Sequence, residues 1–320
     1  MNCLCCGKEL KTQDSPYGWH KSCIKSFFGT SKLPDIDVSE EILNQLAIDS
    51  TTKGFTVPGV QKKLSLHLTK DKEPRLTLVN YPTGYILKPQ TQEYEALPEM
   101  EYLVMQMAKL SGIKTVPFAL IKLSSQSGAF AYITKRIDRE NSQMLAMEDF
   151  CQLDGRLTED KYRGSYERCG KIVSKYSVNP GLDLTELYIR IIFSFAVGNS
   201  DMHLKNFSLI ETAQKSEEYV LSAAYDMLST NVVIPEDKEQ LALTANGKKQ
   251  NLRRKDFLIL AENIGISQKS AEKIIDKIAK MKSKYIAMCQ ASYMPEDMKQ
   301  AFEKLITERM EVLLKKKCAV

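Results

Sequence analysis

The segment 198–206, with the sequence GNSDMHLKN, places an aspartate and an asparagine five residues apart. Phosphoryl transfer from ATP needs a carboxylate that orients the acceptor hydroxyl, together with oxygen ligands for Mg²⁺, and protein kinases take an Asp and an Asn from one loop at this separation. An isolated Asp and Asn would more simply cap a turn and satisfy a strand edge. The polar run behind an apolar stretch favours the kinase chemistry, with Asp201 as the catalytic residue and Asn206 as a Mg²⁺ ligand.

Three further polar residues belong to the same constellation. Asp226, in the segment AYDMLS, follows a predicted short hairpin, where kinases place a second Mg²⁺-binding aspartate. His203 is expected to hold the loop and not to act as the base, because Asp201 already fills that role. Lys205 either neutralises the transferred phosphate or lies in solvent, and the sequence leaves both alternatives open. We therefore count His203 and Lys205 among the candidate nucleotide-binding residues.

A lysine at the end of a predicted strand is the candidate phosphate ligand. Lys88 closes the strand YILK and is followed by Pro89. Such a lysine is usually solvated, but kinases use a strand lysine to bind the α- and β-phosphates and hold it with a glutamate from the next helix. Glu101 is the preferred partner for Lys88, and Glu99 is the second choice.

Four of the eight cysteines lie in the first 23 residues. Cys3 and Cys6, followed by His20 and Cys23, form the pattern C-x₂-C…H-x₂-C, in which each pair can grip one tetrahedral Zn²⁺. Cys5 would then be the spare thiol. The alternative is a reduced, partly buried thiol cluster, with the segment FFG at 27–29 docking this head on the rest of the chain.

The stretches that must position these residues change character along the chain. Alternating apolar residues and turn signals dominate the first half, and apolar residues at helical spacing dominate the second half. For the first half we predict helices at 39–48 and 93–110, and strands at 63–68, 75–80, 85–88, 116–123 and 130–137. For the second half we predict helices at 148–153, 166–176, 184–198 and nearly throughout 255–315, with short strands at 207–210, 219–221 and 241–244. This order indicates an α+β, two-lobed protein.

The predicted domains are a Cys/His-rich head at 1–35, a β-rich N-lobe at 36–140 and a helical C-lobe at 141–320 with the catalytic loop. Hydrophobic residues make up 43% and charged residues 27% of the 320, an ordinary balance for a soluble protein. No apolar run reaches the length of about 18 residues that a membrane span needs. The N-terminus has no signal-peptide pattern, so we expect a cytoplasmic protein. The net charge of +5 permits contact with nucleic acid but does not argue for it.

Six segments, taken in order, resemble the successive motifs of HipA-type serine/threonine kinases, the toxins of bacterial toxin–antitoxin systems. They are GFTVPGVQKKL at 54–64, ILKP at 86–89, TKRIDR at 134–139, EDFCQ at 148–152, GNSDMHLKNF at 198–207 and YDMLS at 225–229. The resemblance runs from about residue 50 to residue 310 and is specific as a set. It implies a kinase-like fold with an all-helical lower lobe, the use of ATP and Mg²⁺, and phosphorylation of an aminoacyl-tRNA synthetase, which shuts down translation.

The resemblance also implies roles for residues that spacing alone does not single out. The adenine-binding hinge would fall at Lys135, Arg136 and Ile137, and the glycine-bearing loop over the nucleotide at Val57, Pro58, Gly59, Val60 and Gln61. Thr56 occupies the place of the autophosphorylated serine of that loop. It is the only hydroxyl in the motif, because the second serine of the shorter HipT branch is replaced here by Pro58.

The partners implied by the resemblance are antitoxin proteins. The chain is similar to the short HipT-type branch, in which a HipS-like small protein takes the place of the N-terminal subdomain of longer HipA proteins. A HipB-like helix-turn-helix protein completes the set, so DNA contact is expected only through the complex, and no membrane contact is expected. The alternative function is a kinase-like binding module that acts mainly with its antitoxin as a DNA-bound repressor.

Overall fold

The computed structural model describes residues 2–11, 18–36, 63–69, 73–78, 84–91, 93–123, 129–140 and 143–315. It divides into two compact units, one formed by Met1–Tyr102 and Val116–Arg139 and the other by Leu103–Thr115 and Glu140–Val320. The predicted helix at 39–48 and the segment 56–61 lie outside the described residues.

The first unit is built on a six-stranded sheet with the strand order β1-β3-β2-β4-β6-β5. All pairs are antiparallel except β1 with β3. The apolar residues of β2 alternate with more exposed ones, as expected for a strand with one face in the core. The strands are Asp35–Ile36, Leu64–Thr69, Arg75–Leu78, Tyr85–Pro89, Phe118–Lys122 and Phe130–Lys135, numbered β1 to β6 in chain order.

Two helices accompany the sheet strands. The first, α1 (Lys21–Phe28), ends at Gly29, which has a φ of 75° and closes the helix in the left-handed conformation. The second, α2 (Leu97–Leu110), starts four residues later than the predicted helix at 93–110. Ala96 has a φ of 50°, which no helical residue adopts, and Pro98 suits the first turn of a helix because its missing N–H would have no partner there.

The second unit is mostly helical. Its core helix α5 is apolar nearly all round, and its Ile191, Phe193 and Phe195 side chains are fully buried, as expected for a helix surrounded by others. The helices are α3 Phe150–Leu153, α4 Tyr166–Tyr176, α5 Pro180–Val197, α6 Thr230–Val233, α7 Arg254–Asn263, α8 Gln268–Ala279, α9 Lys282–Gln290 and α10 Glu296–Leu314.

Short strands complete this part of the chain. Arg139–Glu140 (β7) pairs with Gln143–Met144 (β8), and Met147–Asp149 (β9), Ser208–Glu211 (β10) and Tyr219–Leu221 (β11) form a sheet in the order β11-β10-β9. The predicted α+β class, with a β-rich part followed by a helical part, is confirmed. Among the described residues, no helix is long and apolar enough to cross a membrane.

Two predicted elements are wrong. The helix expected at 148–153 is shorter, because Glu148 pairs with Leu209 in the sheet and only Phe150–Leu153 is helical. Asp149 ends the strand and caps α3, its carboxylate accepting the Gln152 N–H at 2.9 Å. The strand expected at 241–244 is an apolar loop, in which only Thr244 makes a bridge, to Ser165. Its apolar character reflects burial, since Leu241 and Leu243 are fully buried.

Candidate functional site

The loop at 198–206 begins where helix α5 ends, and Gly198 determines that point. Gly198 has a φ of 68°, and its N–H returns to the Phe195 and Ser194 carbonyls. A Cβ at this position would lie 2.8 Å from Leu305 Cδ1 on α10, so the Leu305 side chain would have to move to admit any other residue. The chain therefore leaves the buried helix abruptly and delivers the polar residues that follow to one turn.

Hydrogen bonds within the loop bring its two ends together. The Asn206 side-chain amide donates to the Asp201 carbonyl at 2.8 Å, and the His203 N–H donates to the same carbonyl at 2.8 Å. The Asp201 N–H is held in turn by the Asn199 side chain at 3.1 Å. Asn206 is buried, whereas the Asp201 side chain is 24% exposed. The loop thus presents a partly exposed carboxylate beside a buried, oriented amide.

His203 lies beneath Asp201. Its side chain is buried, and Nε2 is 3.9 Å from Asp201 Oδ1. The edge of its ring meets the Tyr162 ring, with 4.9 Å between the ring centroids. This packing agrees with a supporting position for His203, and its role toward a nucleotide stays a prediction.

Tyr162 is a site residue that sequence reasoning missed. Its hydroxyl donates a hydrogen bond to Asp201 Oδ1. Burial, and then the neighbouring Asp201 charge, raise the pKa of Tyr162 above its ordinary value, so the phenol stays protonated and remains a donor. Tyr162 is 39 positions before Asp201 in the chain, in a segment without a recognisable motif, so no sequence signal could have linked the two.

Lys205 has a protein partner. Its ammonium group is 2.7 Å from Asp149 Oδ2, on the residue that caps α3. The side chain is 34% exposed, so this lysine is in contact with both solvent and Asp149. The ion pair ties the loop to the start of α3, and a role toward phosphate stays a prediction.

Asp226 is brought to the same loop through its neighbour Tyr225. The Tyr225 hydroxyl donates to the Lys205 carbonyl at 3.2 Å and lies 2.5 Å from Ser208 Oγ. Asp226 itself has a φ of 59°, in the left-handed region that few non-glycine residues adopt. Backbone conformations of this kind cluster at functional sites because the surrounding structure must hold them.

Two buried charged residues of α5 hold the segment that leads into Asp226. Asp183 accepts the Leu221 N–H at 2.7 Å, and Arg190 donates to the Ser222 carbonyl at 2.7 Å. The Arg190 side chain is 1% exposed and also pairs with Glu186 at 3.0 Å. The sequence shows Arg190 only as an interruption of an apolar run, although a lone charge on such a helix commonly marks a buried polar contact.

The donor atoms of this unit suit Mg²⁺. The Asn206 amide nitrogen is used by the Asp201 carbonyl, which leaves the amide oxygen as the atom that a metal would take. With the Asp226 carboxylate it would supply two hard oxygen ligands, of the kind that Mg²⁺ completes with phosphate oxygens and water. The donor chemistry of Asn206 and Asp226 therefore fits Mg²⁺, and magnesium binding by these residues stays a prediction.

In the first unit, Lys88 of β4 is paired with Glu101 of α2. Lys88 Nζ lies 2.6 Å from Glu101 Oε1, and the two side chains are 4% and 1% exposed. Lys88 Nζ also lies 5.4 Å from the centre of the Tyr132 ring. Burying two charges is costly unless they are paired, so this ion pair fixes the lysine at one place on the sheet. Glu99, the second choice, does not form this pair.

The predicted hinge follows strand β6. The Lys135 N–H donates to the Pro117 carbonyl and the Arg136 N–H to the Gly84 carbonyl, each at 2.9 Å. The Arg136 side chain makes two hydrogen bonds to Asp138, which also pairs with Arg139. Two of the three backbone N–H groups of the predicted hinge are therefore occupied within the protein, and adenine binding at this point stays a prediction.

The four cysteine and histidine side chains of the head also lie together, with ligand atoms within 4.8 Å of one another. The loop residues Thr56, Val57, Pro58, Gly59, Val60 and Gln61 lie outside the described residues. The structure thus brings together Lys88 with Glu101 in one unit, and the loop at 198–206 with the Asp226 segment in the other.

A strand lysine held by a helical glutamate, and an Asp–Asn loop followed by a later Asp, are the recurring parts of a kinase-like fold. Residues 55–285 match the model of the HipA-like C-terminal domain. The chain therefore belongs to the HipA-like C-terminal domain family, as the order of the motifs predicts.

Curated relatives carry the names of kinases. The chain is 32% identical over 228 residues to the putative kinase Y4dM of Sinorhizobium fredii, covering 67% of this chain and 55% of that protein. It is 28% identical over 289 residues to a putative kinase of Haemophilus influenzae, covering 82% of each. The chain thus spans little more than half of Y4dM.

Two solved structures share the fold. The HipA of Shewanella oneidensis, solved with HipB and operator DNA, matches with a TM-score of 0.67 and 19% identity over 80% of this chain and 64% of its own. The Helicobacter pylori proinflammatory kinase CtkA matches with a TM-score of 0.54 and 15% identity over 78% of this chain and 95% of its own. The fold of the chain is therefore kinase-like.

Proposed function

We propose that this protein is an ATP-dependent serine/threonine protein kinase, the toxin of a bacterial toxin–antitoxin system. The observation that carries the proposal is the loop geometry of the second unit. The Asn206 amide donates to the Asp201 carbonyl at 2.8 Å, and Tyr225, the neighbour of Asp226, donates to the Lys205 carbonyl at 3.2 Å. The buried pair of Lys88 and Glu101 supports it from the first unit.

In the proposed reaction, the hydroxyl oxygen of the acceptor forms a bond to the γ-phosphorus of ATP. The bond from that phosphorus to the β,γ-bridging oxygen breaks, ADP leaves, and the hydroxyl proton passes to the Asp201 carboxylate. Lys88 binds the α- and β-phosphates, and Glu101 keeps the ammonium group in place. Asn206 and Asp226 would hold Mg²⁺, which would neutralise charge on the phosphate oxygens.

The other predicted contacts to the nucleotide belong to the same proposal. The hinge at Lys135, Arg136 and Ile137 binds the adenine, with Ile137 carrying most of the backbone contact. The loop from Val57 to Gln61 covers the phosphates, and Thr56 is its autophosphorylation site. A phosphate on Thr56 would place about two negative charges beside the nucleotide and expel the loop.

The proposed substrate and partners follow from the family and from the complex in which one structural relative was solved. The HipA of Shewanella oneidensis was solved with HipB and operator DNA. We propose a HipB-like helix-turn-helix antitoxin, a HipS-like small protein and, through the complex, contact with DNA. The acceptor is a Ser or Thr of a translation protein, with an aminoacyl-tRNA synthetase as the first candidate, so the enzyme would act in the cytoplasm.

Radioactive ATP and Mg²⁺ test the proposal on three proteins: the wild type, Asp201→Asn and the control Asp297→Asn, whose residue is exposed on α10. Wild type and control should label themselves and at least one lysate protein. Labelling by Asp201→Asn should fall at least about 100-fold, the smaller effect expected when a general base is lost. Equal labelling by Asp201→Asn would remove Asp201 from the mechanism, and a module that only binds partners would label nothing in any form.

Mass spectrometry of the same reactions tests the finer statements. A translation protein that carries phosphoserine or phosphothreonine only after incubation with the wild type identifies the acceptor. Thr56 should be modified in the wild type and unmodified in Asp201→Asn. A wild-type enzyme that phosphorylates the acceptor while Thr56 stays unmodified would contradict autophosphorylation at this residue.

A further inference from the structure

The head of the chain contains a compact set of metal-binding atoms remote in sequence from the catalytic loop. The Sγ atoms of Cys3, Cys6 and Cys23 and a ring nitrogen of His20 all lie within 4.8 Å of one another. Cys6 Sγ is 3.4 Å and Cys23 Sγ is 3.8 Å from His20 Nδ1. Zinc bonds of about 2.3 Å to sulfur and about 2.0 Å to nitrogen place neighbouring ligands of a tetrahedron about 3.5 to 3.8 Å apart. The two distances to His20 Nδ1 are close to those of such a tetrahedron, and all four ligand atoms are near enough to one another to share one ion.

The imidazole of His20 is oriented for ligation. Its Nε2 lies 3.1 Å from the Glu9 carbonyl oxygen, which can only accept a hydrogen bond, so Nε2 carries the proton. Nδ1 then holds the lone pair and faces the thiols. In histidine ligands of metals, a hydrogen bond from the non-ligating ring nitrogen to a carbonyl oxygen fixes the orientation and the tautomer of the ring.

The backbone around Cys3 forms a knuckle that suits a thiolate. The Gly7 N–H donates to the Cys3 carbonyl at 2.8 Å, and Gly7 has a φ of 72°. The His20 N–H points at Cys3 Sγ from 3.4 Å. N–H donors stabilise the charged form of sulfur, which is the form that binds metal.

The head is attached to the rest of the first unit at two places, the knuckle around Cys3 and the helix α1. The Leu4 carbonyl accepts the Leu120 N–H of β5 at 2.9 Å, and the Tyr102 hydroxyl donates to the Cys3 carbonyl at 3.3 Å. On the other side, the Tyr85 hydroxyl of β4 donates to the Phe27 carbonyl at 3.3 Å. Trp19 packs against both Phe27 and Phe28 and is fully buried.

We propose that Cys3, Cys6, His20 and Cys23 bind one structural Zn²⁺ that joins the knuckle to the first turn of α1. Four protein ligands complete the tetrahedron, so no position remains for a substrate, as in structural zinc sites. A segment as short as the head could not fold by itself, so its order rests on its contacts with the first unit, to which a bound metal would add free energy. The inference goes beyond the proposed kinase activity, because it concerns the folding of the head.

Metal analysis of protein purified without chelator tests the site. The wild type and the matched control Cys5→Ser should contain about one zinc per chain, because Cys5 is outside the set of four ligands. Cys6→Ser and Cys23→Ser should each lose most of it. A mercurial reagent that titrates thiols should release zinc to a chromogenic chelator from the wild type and the control. These readouts do not involve ATP, so their failure would leave the kinase proposal standing.

Cobalt provides a second measurement that needs no variant. Wild-type protein stripped of metal and given Co²⁺ without oxygen should show the sulfur-to-cobalt absorption and the intense visible bands of a tetrahedral site. Zinc well below one per chain, with the cysteines of the native wild type reacting as free thiols or recovered as a disulfide, would overturn the proposal. Retention of full zinc by both Cys6→Ser and Cys23→Ser would overturn it as well.

Discussion

The hydroxyl of Tyr162 is a contact of the candidate catalytic carboxylate that only the folded chain reveals. It donates to Asp201 Oδ1, and the Tyr162 ring packs on His203. A single hydrogen bond to a carboxylate holds one rotamer against the others, and such bonds contribute about 1.5 to 3 kcal/mol. We infer that Tyr162 positions Asp201.

Tyr162→Phe removes that hydrogen bond and keeps the ring. We expect kcat for phosphoryl transfer to fall about tenfold, which corresponds to about 1.4 kcal/mol of barrier, with little change in KM for ATP. Initial rates at several ATP concentrations measure both constants. Tyr176→Phe, at an exposed tyrosine of α4, is the control. An unchanged kcat would show that Asp201 keeps its position without Tyr162.

At the residue level, the sequence identified the candidate residues that belong to a local motif. The loop from Gly198 to Asn206 and the ion-pair candidates Lys88 and Glu101 are recognisable because their spacing is local or because each lies on its own element. Tyr162 and Asp183 are not, since each acts through a partner distant in the chain and has no special neighbours. Contacts of this kind depend on tertiary packing, which a single sequence does not display.

At the scale of elements, the end of helix α5 controls the loop. The Gly198 carbonyl accepts the Asn231 N–H at 3.1 Å, and the Asn231 side chain donates to Ser200 Oγ at 3.3 Å. Gly198 is therefore the point at which the end of α5, the helix α6 and the start of the loop meet. A shift at Gly198 would be transmitted to Ser200 and so to the backbone of Asp201.

Gly198→Ala is expected to lower both stability and activity. The left-handed conformation alone costs an alanine about 1 to 2 kcal/mol. The new Cβ would also lie 2.8 and 2.9 Å from the two terminal carbons of Leu305. Gly247→Ala is the control, because Gly247 has a φ of 74° but no atom within 4 Å of the added carbon.

Urea denaturation and transfer rates of the two variants separate the cost of the left-handed backbone from the cost of the contact with Leu305. Gly198→Ala should lose more free energy of unfolding than Gly247→Ala, and only Gly198→Ala should lose transfer activity. Equal losses of stability in the two variants, with activity intact, would mean that Leu305 simply moves aside.

The elements themselves were largely predictable, and the failures have physical causes. Helix α4 and strand β11 have the predicted limits, because periodicity and capping residues agree there. The segment 241–244 was assigned as a strand because burial and sheet pairing produce the same apolar run. Glu148 and Asp149 were assigned to a helix because their pairing with β10 is a long-range contact.

At the scale of the whole molecule, the partly buried carboxyl of Glu99 is expected to couple folding to pH. Burial raises the pKa of Glu99 to about 7 from an ordinary value of 4.5. The backbone N–H of Glu99 lowers this pKa, and the charge of Glu95 raises it further. One oxygen of Glu99 is buried without a hydrogen-bond partner among the residues that the structure describes. The folded protein therefore holds this proton up to about pH 7, whereas the unfolded chain releases it near pH 4.5.

Folding takes up this proton between those two pH values, so the contribution of Glu99 to stability falls as the pH rises through the window. Glu99→Gln should flatten the decline and should raise the melting temperature at about pH 8 relative to the wild type. Thermal unfolding at about pH 5 and about pH 8 measures the effect, with the exposed Glu93→Gln as control. If Glu99→Gln and Glu93→Gln follow the wild-type curve alike, Glu99 is ionised in the folded protein.

Strand β5 lies at one edge of the six-stranded sheet, and the hydrogen bond from its Leu120 N–H to the Leu4 carbonyl covers part of that edge. An uncovered edge strand offers unpaired backbone groups to other chains and promotes aggregation. The apolar side chains of β5, from Phe118 to Ile121, make this edge especially prone to aggregation once it is exposed. We therefore expect a chain whose head fails to fold to aggregate even though its loop at 198–206 is intact.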